Sequence, residues 1–256
     1  VSDLGATLDR LAARAWPALE TEVRDGWWLR YNEGLHRRVN SVFPEKTGTD
    51  PLDTKIAEAE AYYRAHGLPP RFQITPACRP PDLDAILAAR GYAVESGVDI
   101  MTAEAASLTQ VRGSGARVEI AAALTPQWLG VHMAEAADPE TKARKGRMLE
   151  RIERVHAFAL AFDAGRPVSA GLGIFEDGWT GVFGMFTLAD ARRQGHGQAV
   201  LAALAEWTLA QPGRRTYLQV ERDNPGALAF YAKLGFDAVH GYHYRTLWPD
   251  RPGAST

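Results

Sequence analysis

At 256 residues the chain suits one large domain or two small ones, and two are expected, because single cores of about 100 to 150 residues are commonest. Apolar residues make up 46% and charged residues 23%, which excludes general disorder, and a formal net charge of -2 sets up no field to attract a polyanion, so no nucleic-acid partner is expected. Cys78 is the only cysteine, which excludes an intrachain disulfide and argues against a cysteine-built metal site; with no signal-peptide-like start and no membrane-length apolar run, a cytoplasmic protein without metal or membrane contact is expected.

Leu4, Leu8, Leu11 and Ala15 recur at helical spacing before Trp16-Pro17, which predicts a short amphipathic helix. Trp27 to Tyr31 and Val39 to Phe43 are β-prone runs around the turn-like Asn32-Glu33-Gly34 and predict a hairpin. Ile56, Ala59 and Tyr63 share one face of a helix over Leu52 to His66, stopped by Gly67-Leu68-Pro69-Pro70. Arg71 to Thr75 follows as a strand, Asp82 to Ala89 as a helix ended by Gly91, and Ala93 to Met101 as a strand. Ala105 to Ala116, with Gly113-Ser114-Gly115, is short of large apolar residues and reads as an interdomain linker.

Beyond it, Val118 to Ala122 reads as a strand, Pro126 to Ala137 as a helix, and Met148, Ile152 and Val155 as the buried face of another helix. The basic residues Lys142, Lys145, Arg147 and Arg151 are expected on its solvated face, with a part in shaping an acceptor groove as the rival reading. Ala157 to Phe162, Val168 to Phe175 and Trp179 to Phe186 predict three antiparallel strands turned at Asp163-Ala164-Gly165 and Glu176-Asp177-Gly178. A helix opens at Gly195-His196-Gly197 and closes near Pro212-Gly213, followed by the strand Thr216 to Val220, the helix Asn224 to Leu234, and a closing pair of strands, Phe236 to His240 and Tyr242 to Leu247. Antiparallel strands followed by strand-helix alternation point to an α+β fold with a mixed, mostly antiparallel sheet.

Arg192-Arg193-Gln194-Gly195-His196-Gly197 has the makings of a phosphate cradle. Gly195 and Gly197 let the backbone approach closely, two arginines precede the turn, and the start of a helix presents free N–H groups. A dinucleotide fingerprint fails at Val200, where a third small residue is needed, and the Gly-Lys-Ser/Thr of a nucleotide P-loop is absent. About thirty residues on stands Asn224-Pro225-Gly226-Ala227-Leu228-Ala229-Phe230-Tyr231-Ala232-Lys233-Leu234-Gly235-Phe236.

The Arg-x-x-Gly-x-Gly loop after a strand, joined to this Asn…Phe-Tyr-x-Lys-Leu-Gly-Phe helix, resembles the GCN5-related N-acetyltransferase (GNAT) superfamily over about 130 residues. The resemblance implies that Arg192, Arg193, Gln194, Gly195, His196, Gly197 and Gln198 bind the coenzyme A pyrophosphate, largely through main-chain N–H groups. It implies that Met185, Phe186 and Thr187 pair with the pantetheine arm, that Asn224 lies on the coenzyme side, and that Tyr231 protonates the departing thiolate. The implied function is transfer of an acetyl group from acetyl-CoA to a primary amine of a small molecule or peptide. A non-catalytic acyl-CoA sensor and a nucleotide-binding module stand as alternatives. The base for the amine stays open, with Glu176 and Glu221 as candidates; the strand Trp179 to Phe186 lacks the glutamate that some members keep there. The rival reading of Tyr231 is a core aromatic beside Ala227 and Leu234, and His196 is expected to point to solvent.

Asp82 to Tyr92 has the outline of the Asn224 to Phe236 helix, with Leu87 where Tyr231 stands and no glycine loop before it. The expected organisation is a tandem pseudo-repeat: residues 1–106 a degenerate GNAT-like domain, 107–117 a linker, 118–250 the acetyl-CoA-binding domain and 251–256 a tail. A monomer or homodimer is expected. Arg37, Arg38 and Asn40, on a predicted strand, face substrate or form structural ion pairs.

Overall fold

The computed structural model describes residues 3–111, 113–136 and 138–249; the expected tail 251–256, Arg112 of the expected linker and Ala137 at the end of an expected helix lie outside them. The elements of the first part are α1 (Asp3–Ala15), β1 (Glu20–Arg24), β2 (Trp27–Tyr31), β3 (Val42–Pro44), α2 (Leu52–Ala65), β4 (Arg71–Ile74), α3 (Leu83–Ala89), β5 (Ala93–Glu104) and α4 (Ala105–Leu108). Then come β6 (Arg117–Ala121), α5 (Pro126–His132), α6 (Pro139–Glu150), β7 (His156–Asp163), β8 (Arg166–Glu176), β9 (Trp179–Thr187), α7 (His196–Ala210), β10 (Arg215–Glu221), α8 (Pro225–Lys233) and β11 (Asp237–Thr246). The fold is α+β with a mainly antiparallel sheet flanked by helices. Among the described residues no helix is long and apolar enough to cross a membrane.

Two compact units emerge: Val1–Asp99 with Glu221–Asp223 and His240–Thr256, and Ile100–Val220 with Asn224–Val239. In the first, β1, β2 and β3 are antiparallel neighbours, β3 runs parallel to β4 with Val42 opposite Phe72, and β4 is antiparallel to the end of β11 with Ile74 opposite His243. Trp27, Leu29, Ile56, Tyr63, Phe72 and Leu87 form its core. β1 escapes the sequence pattern because its side chains are almost all exposed, so nothing alternates; its register is set by the turn at Asp25 and Gly26, both at positive φ.

The expected strand from Val39 starts three residues later, since Arg37–Val39 is a single 3-10 turn. The reason is Asn40, whose Nδ2 donates to the carbonyls of Leu35 and His36 at 2.8 Å and whose Oδ1 accepts from the N–H groups of Asn32 (2.8 Å) and Gly34 (3.1 Å). Asn40 thus knots the turn with both its amide oxygen and nitrogen engaged, and Arg37 pairs with Glu95 and Glu221. The closing strands are one strand, β11. Gly241 sits in its middle, where a Cβ would overlap the Arg222 guanidinium held by Asp99.

In the second unit β6, β7, β8 and β9 are antiparallel in sequence, and β10 adds parallel to β9. Gly171 leaves room for α7: a Cβ there would stand 2.6 Å from the Val200 side chain, so that Val200, Leu201 and Leu204 pack on the small residues Ala159 and Ala161 of β7. The hairpin turns use Ala164-Gly165 and Asp177-Gly178, all at positive φ. Thr125, Asp138 and Asn224 each precede a proline and each accept a backbone N–H from the first turn of α5, α6 and α8 (Trp128, Thr141 and Ala227 at 3.1, 2.8 and 3.0 Å).

Three expectations change here. Lys145 is fully buried within α6, so the basic residues do not all share a solvated face. Val155 is exposed because α6 ends at Glu150 and the Val155 carbonyl, extended, accepts from Phe175 N at 2.8 Å. The expected linker is anchored at several of its described residues: Leu108 is buried in the core of this unit, and Val111 and Ala116 lie against it.

The order β1-β2-β3-α2-β4-α3-β5 recurs as β7-β8-β9-α7-β10-α8-β11, with a parallel pair at the third and fourth strands each time.

Candidate active site

β9 and β10 pair from Trp179 opposite Arg215 to Val182 opposite Leu218, and β9 continues for five residues past that last pair. The cause is Gly184, at φ +58, which bends β9 where the β8 register also shifts between Ala170 and Leu172. A non-glycine residue is disfavoured at that φ. Beyond the bend Met185, Phe186 and Thr187 are half-buried, with their outer edge turned from β10 and their inner edge held by β8. Ser169 Oγ donates to the Phe186 carbonyl at 3.0 Å and meets Thr187 Oγ1 at 2.8 Å.

The glycine loop begins where β9 ends. Gly195 caps α7 in the left-handed conformation, φ +83, and a Cβ on it would stand 2.8 Å from Ser114 N. Both facts require glycine. No side chain caps α7, so the N–H groups of His196, Gly197 and Gln198, which lack helical acceptors by geometry, form a donor cluster at the positive end of a fifteen-residue helix. Gly197 lies against Thr187 Oγ1 and the Phe230 ring, at 3.5 and 3.7 Å from where its Cβ would be, so loop, strand end and α8 converge. Arg193 and Gln194 are exposed on the loop, and Arg193 takes positive φ. The Arg192 guanidinium is engaged at the strand end: its Nε donates to the Thr187 carbonyl at 3.1 Å and its Nη2 meets Glu135 at 2.8 Å.

His196 corrects an expectation. Instead of pointing to solvent it is buried, with Nδ1 2.9 Å from Ser114 Oγ and Nε2 without a partner. Ser114 N also donates to the Gly195 carbonyl at 3.3 Å, so the segment read as a linker braces the loop from beneath.

A family model described as "Probable histone acetyltransferase Rv0428c C-terminal" matches residues 6–245. The chain belongs to this acetyltransferase family. It is also 30% identical over 242 residues to the uncharacterized N-acetyltransferase YobR of Bacillus subtilis (strain 168), covering 93% of this chain and 96% of that protein. A GCN5-related N-acetyltransferase structure from Kribbella flavida superposes with TM-score 0.69 at 19% identity over 98% of both chains. A tandem GNAT protein from the clavulanic acid pathway gives TM-score 0.58 at 18% identity, over 76% of this chain and 69% of that one. Both structures support the fold of a GNAT acetyltransferase.

In this acetyltransferase Tyr231 stands on α8 beside Phe230 and Phe236, with ring centroids 5.1 and 5.6 Å away. Protein packed around its hydroxyl raises the phenol to about 12, although the ring keeps some surface exposure. Asn224 is exposed and spends its Oδ1 on the cap of α8, leaving its amide N–H groups. The two carboxylates proposed as bases do not join this group. Glu176 pairs with Arg154 at 2.8 Å at the opposite end of β9, roughly 16 Å of strand before Gly184. Glu221 groups with the first unit and pairs with Arg37.

His132 is the residue the sequence did not single out. At the end of α5, its Nδ1 lies 3.1 Å from the Gly184 carbonyl and its ring 4.9 Å from Trp128. A carbonyl only accepts, so Nδ1 carries the hydrogen and Nε2 is bare. Burial, with Lys145 nearby, pushes its pKa down to about 3, against the smaller opposite pull of the Gly184 carbonyl. The only sequence signal was its place four residues after Trp128, on the same helix face.

Proposed function

We propose that this acetyltransferase moves an acetyl group from acetyl-CoA to a primary amine of a small molecule or peptide, at the second unit. The observation that carries the reading is the glycine-gated donor cluster at residues 196–198, set directly beside the strand end that parts from its neighbour. A diphosphate fits it: the donors come from the main chain, no Cβ intrudes at Gly195 or Gly197, and a helix dipole backs them. The parted edge of β9 offers its main chain to an extended amide-bearing arm, as an added strand would. The thioester supplies an activated acetyl carbon with a thiolate as leaving group.

Around it the chain's own residues have separate tasks. His132 holds the Gly184 carbonyl and so fixes the bend of β9, acting as a positioning residue. Tyr231 is protonated at neutral pH and delivers its proton to the departing sulfur. An alkyl amine is mostly protonated at neutral pH and loses that proton before attack; this step falls to water, since β9 carries no carboxylate. A peptide amine is kept in the acceptor class because the matching family model is described as a probable histone acetyltransferase.

The first unit reads as a degenerate copy. Ahead of α2, where the second unit has its glycine loop, the Asp25 carboxylate accepts the N–H groups of Thr49 (2.9 Å) and Asp50 (3.1 Å) and pairs with Lys55 at 3.0 Å. An internal anion thus takes the place of a phosphate. Beyond β4, Arg79 N donates to the carbonyl of Pro44, the last residue of β3, at 2.9 Å, a bridge at the end of this strand pair, whereas β9 and β10 part.

Calorimetric titration with acetyl-CoA, CoA and ATP, followed by thiol release on a panel of amines and peptides, tests the reading. Selective CoA binding with amine-dependent thiol release is the expected result. Equal affinity for ATP, or no binding, would overturn it.

A further inference from the structure

The first unit contains a cavity of about 120 Å³ that no residue of the glycine loop lines. It lies where β3 and β4 end, the position at which parallel strands commonly present a ligand site. Phe43 and Pro44 at the end of β3 line it with Glu45, residues from Thr75 to Arg79 follow β4 into it, and α1 adds Asp9 and Arg10. Drug-sized ligands occupy roughly 300–1,000 Å³, so this space suits a much smaller molecule.

Its charged groups are unusual. Asp9 is 1% exposed, with Oδ1 2.8 Å from His240 Nε2 and Oδ2 buried without a partner. A buried carboxylate oxygen left unbonded is destabilising, and a bound donor relieves it. Two guanidinium groups line the same space. The Arg10 side chain reaches Thr7 Oγ1 at 3.4 Å and the Arg79 side chain reaches the Cys78 carbonyl at 3.0 Å. Among the described residues neither has a carboxylate at ion-pair distance. With Glu45 also present, the lining carries two acids and two arginines, which disfavours a polyphosphate and favours a ligand bearing both charges.

We propose that this cavity binds a small free α-amino acid, its ammonium donating to Asp9 Oδ2 and its carboxylate held by Arg10 and Arg79. The site is independent of acetyl transfer, and gives the copy that lacks a phosphate loop a ligand of its own. Amino-acid binding there is a sensing function for the first unit.

The test is calorimetric titration of the full chain with the twenty common amino acids, with acetate, ethylamine and pyrophosphate as probes of one charge only. At least one amino acid is expected to bind with unit stoichiometry, at least about 100-fold more tightly than acetate or ethylamine. Asp9→Asn is expected to weaken it at least about 10-fold; because Asp9 is buried and that variant can unfold, Arg79→Met, on a half-buried side chain, is the second variant and the same loss is expected. Cys78, the only cysteine, lines the cavity, so its alkylation by iodoacetamide is expected to slow as the site fills. No amino acid binding up to about 10 mM overturns the proposal, as does acetate or pyrophosphate binding equally well, or affinity unchanged in both variants. CoA titration of the same samples reports folding. Retained CoA binding without amino-acid binding sinks this proposal and leaves the acetyl-transfer reading standing.

Discussion

Tyr231 shows how burial and chemistry pull against each other at one residue. A phenol raised to about 12 gives its proton to a thiolate, whose conjugate acid lies near about 8.5, only uphill. Contact geometry must therefore supply the advantage. Tyr231→Phe is expected to lower kcat by about 10²-fold or more while the CoA dissociation constant stays within about twofold; equal losses in both would reduce Tyr231 to packing. His132 carries a different consequence. Its folded pKa of about 3 lies below the unfolded value of about 6.5, so on acidification the unfolded chain takes up a proton that the folded one refuses. Its contribution is whole above about pH 6.5 and is lost as pH falls toward 3, at up to about 1.4 kcal/mol per pH unit. Urea melts at about pH 7.5 and about pH 5 should therefore show a stability drop in the wild type that is smaller by about 2 kcal/mol in His132→Asn, which keeps a donor for the Gly184 carbonyl. An identical drop in both would mean that His132 is not held neutral.

At the scale of elements, the loop behaves as one part of a braced assembly. Ser114 bonds His196 through its side chain and Gly195 through its backbone, and a residue lacking that hydroxyl leaves a buried imidazole with neither nitrogen satisfied. Ser114→Ala is expected to cost about 1–3 kcal/mol and to weaken CoA binding several-fold at nearly constant kcat, with Ser114→Thr restoring most of it. Loss of kcat alone would contradict this. The contrast between Gly195 and Ser114 also marks what a sequence discloses. Gly195, the hairpin turns at Ala164-Gly165 and Asp177-Gly178, and the Pro-preceding caps Thr125, Asp138 and Asn224 are local requirements, visible in a few adjacent letters. Ser114 meets His196 across 82 residues and His132 meets Gly184 across 52, so neither leaves a periodic trace. Glu176 and Glu221 were attractive as bases only because they stand at strand ends; Arg154 and Arg37 claim them in the fold. β1 and the 3-10 turn at Arg37–Val39 were illegible for other reasons, one being exposed along almost its whole length and the other set by the side chain of Asn40.

For the whole molecule, the chain passes between its two units at 99/100, 220/221, 223/224 and 239/240, so sequence order and compact unit do not coincide. A fragment cut at the expected boundary, 118–250, loses residues that its own unit needs. Met101, Ala103, Ala105 and Leu108 are buried in that core, Thr216 Oγ1 donates to the Ala103 carbonyl at 3.0 Å, and Ala105 N donates to the Arg214 carbonyl at 2.8 Å. Stripping a buried Leu and a buried Met from a core costs about 2–5 kcal/mol each even when only truncated to Ala, and domains of this size hold about 5–15 kcal/mol in all. Removing the whole segment, which also takes Ser114 from beneath the glycine loop, therefore uses most of the available stability. Fragment 118–250 is expected to unfold without a cooperative urea transition and to bind no CoA, whereas the full chain unfolds cooperatively and binds it. A stable, CoA-binding 118–250 fragment would show that β5 and α4 are dispensable to the acetyltransferase core, contrary to their burial in it.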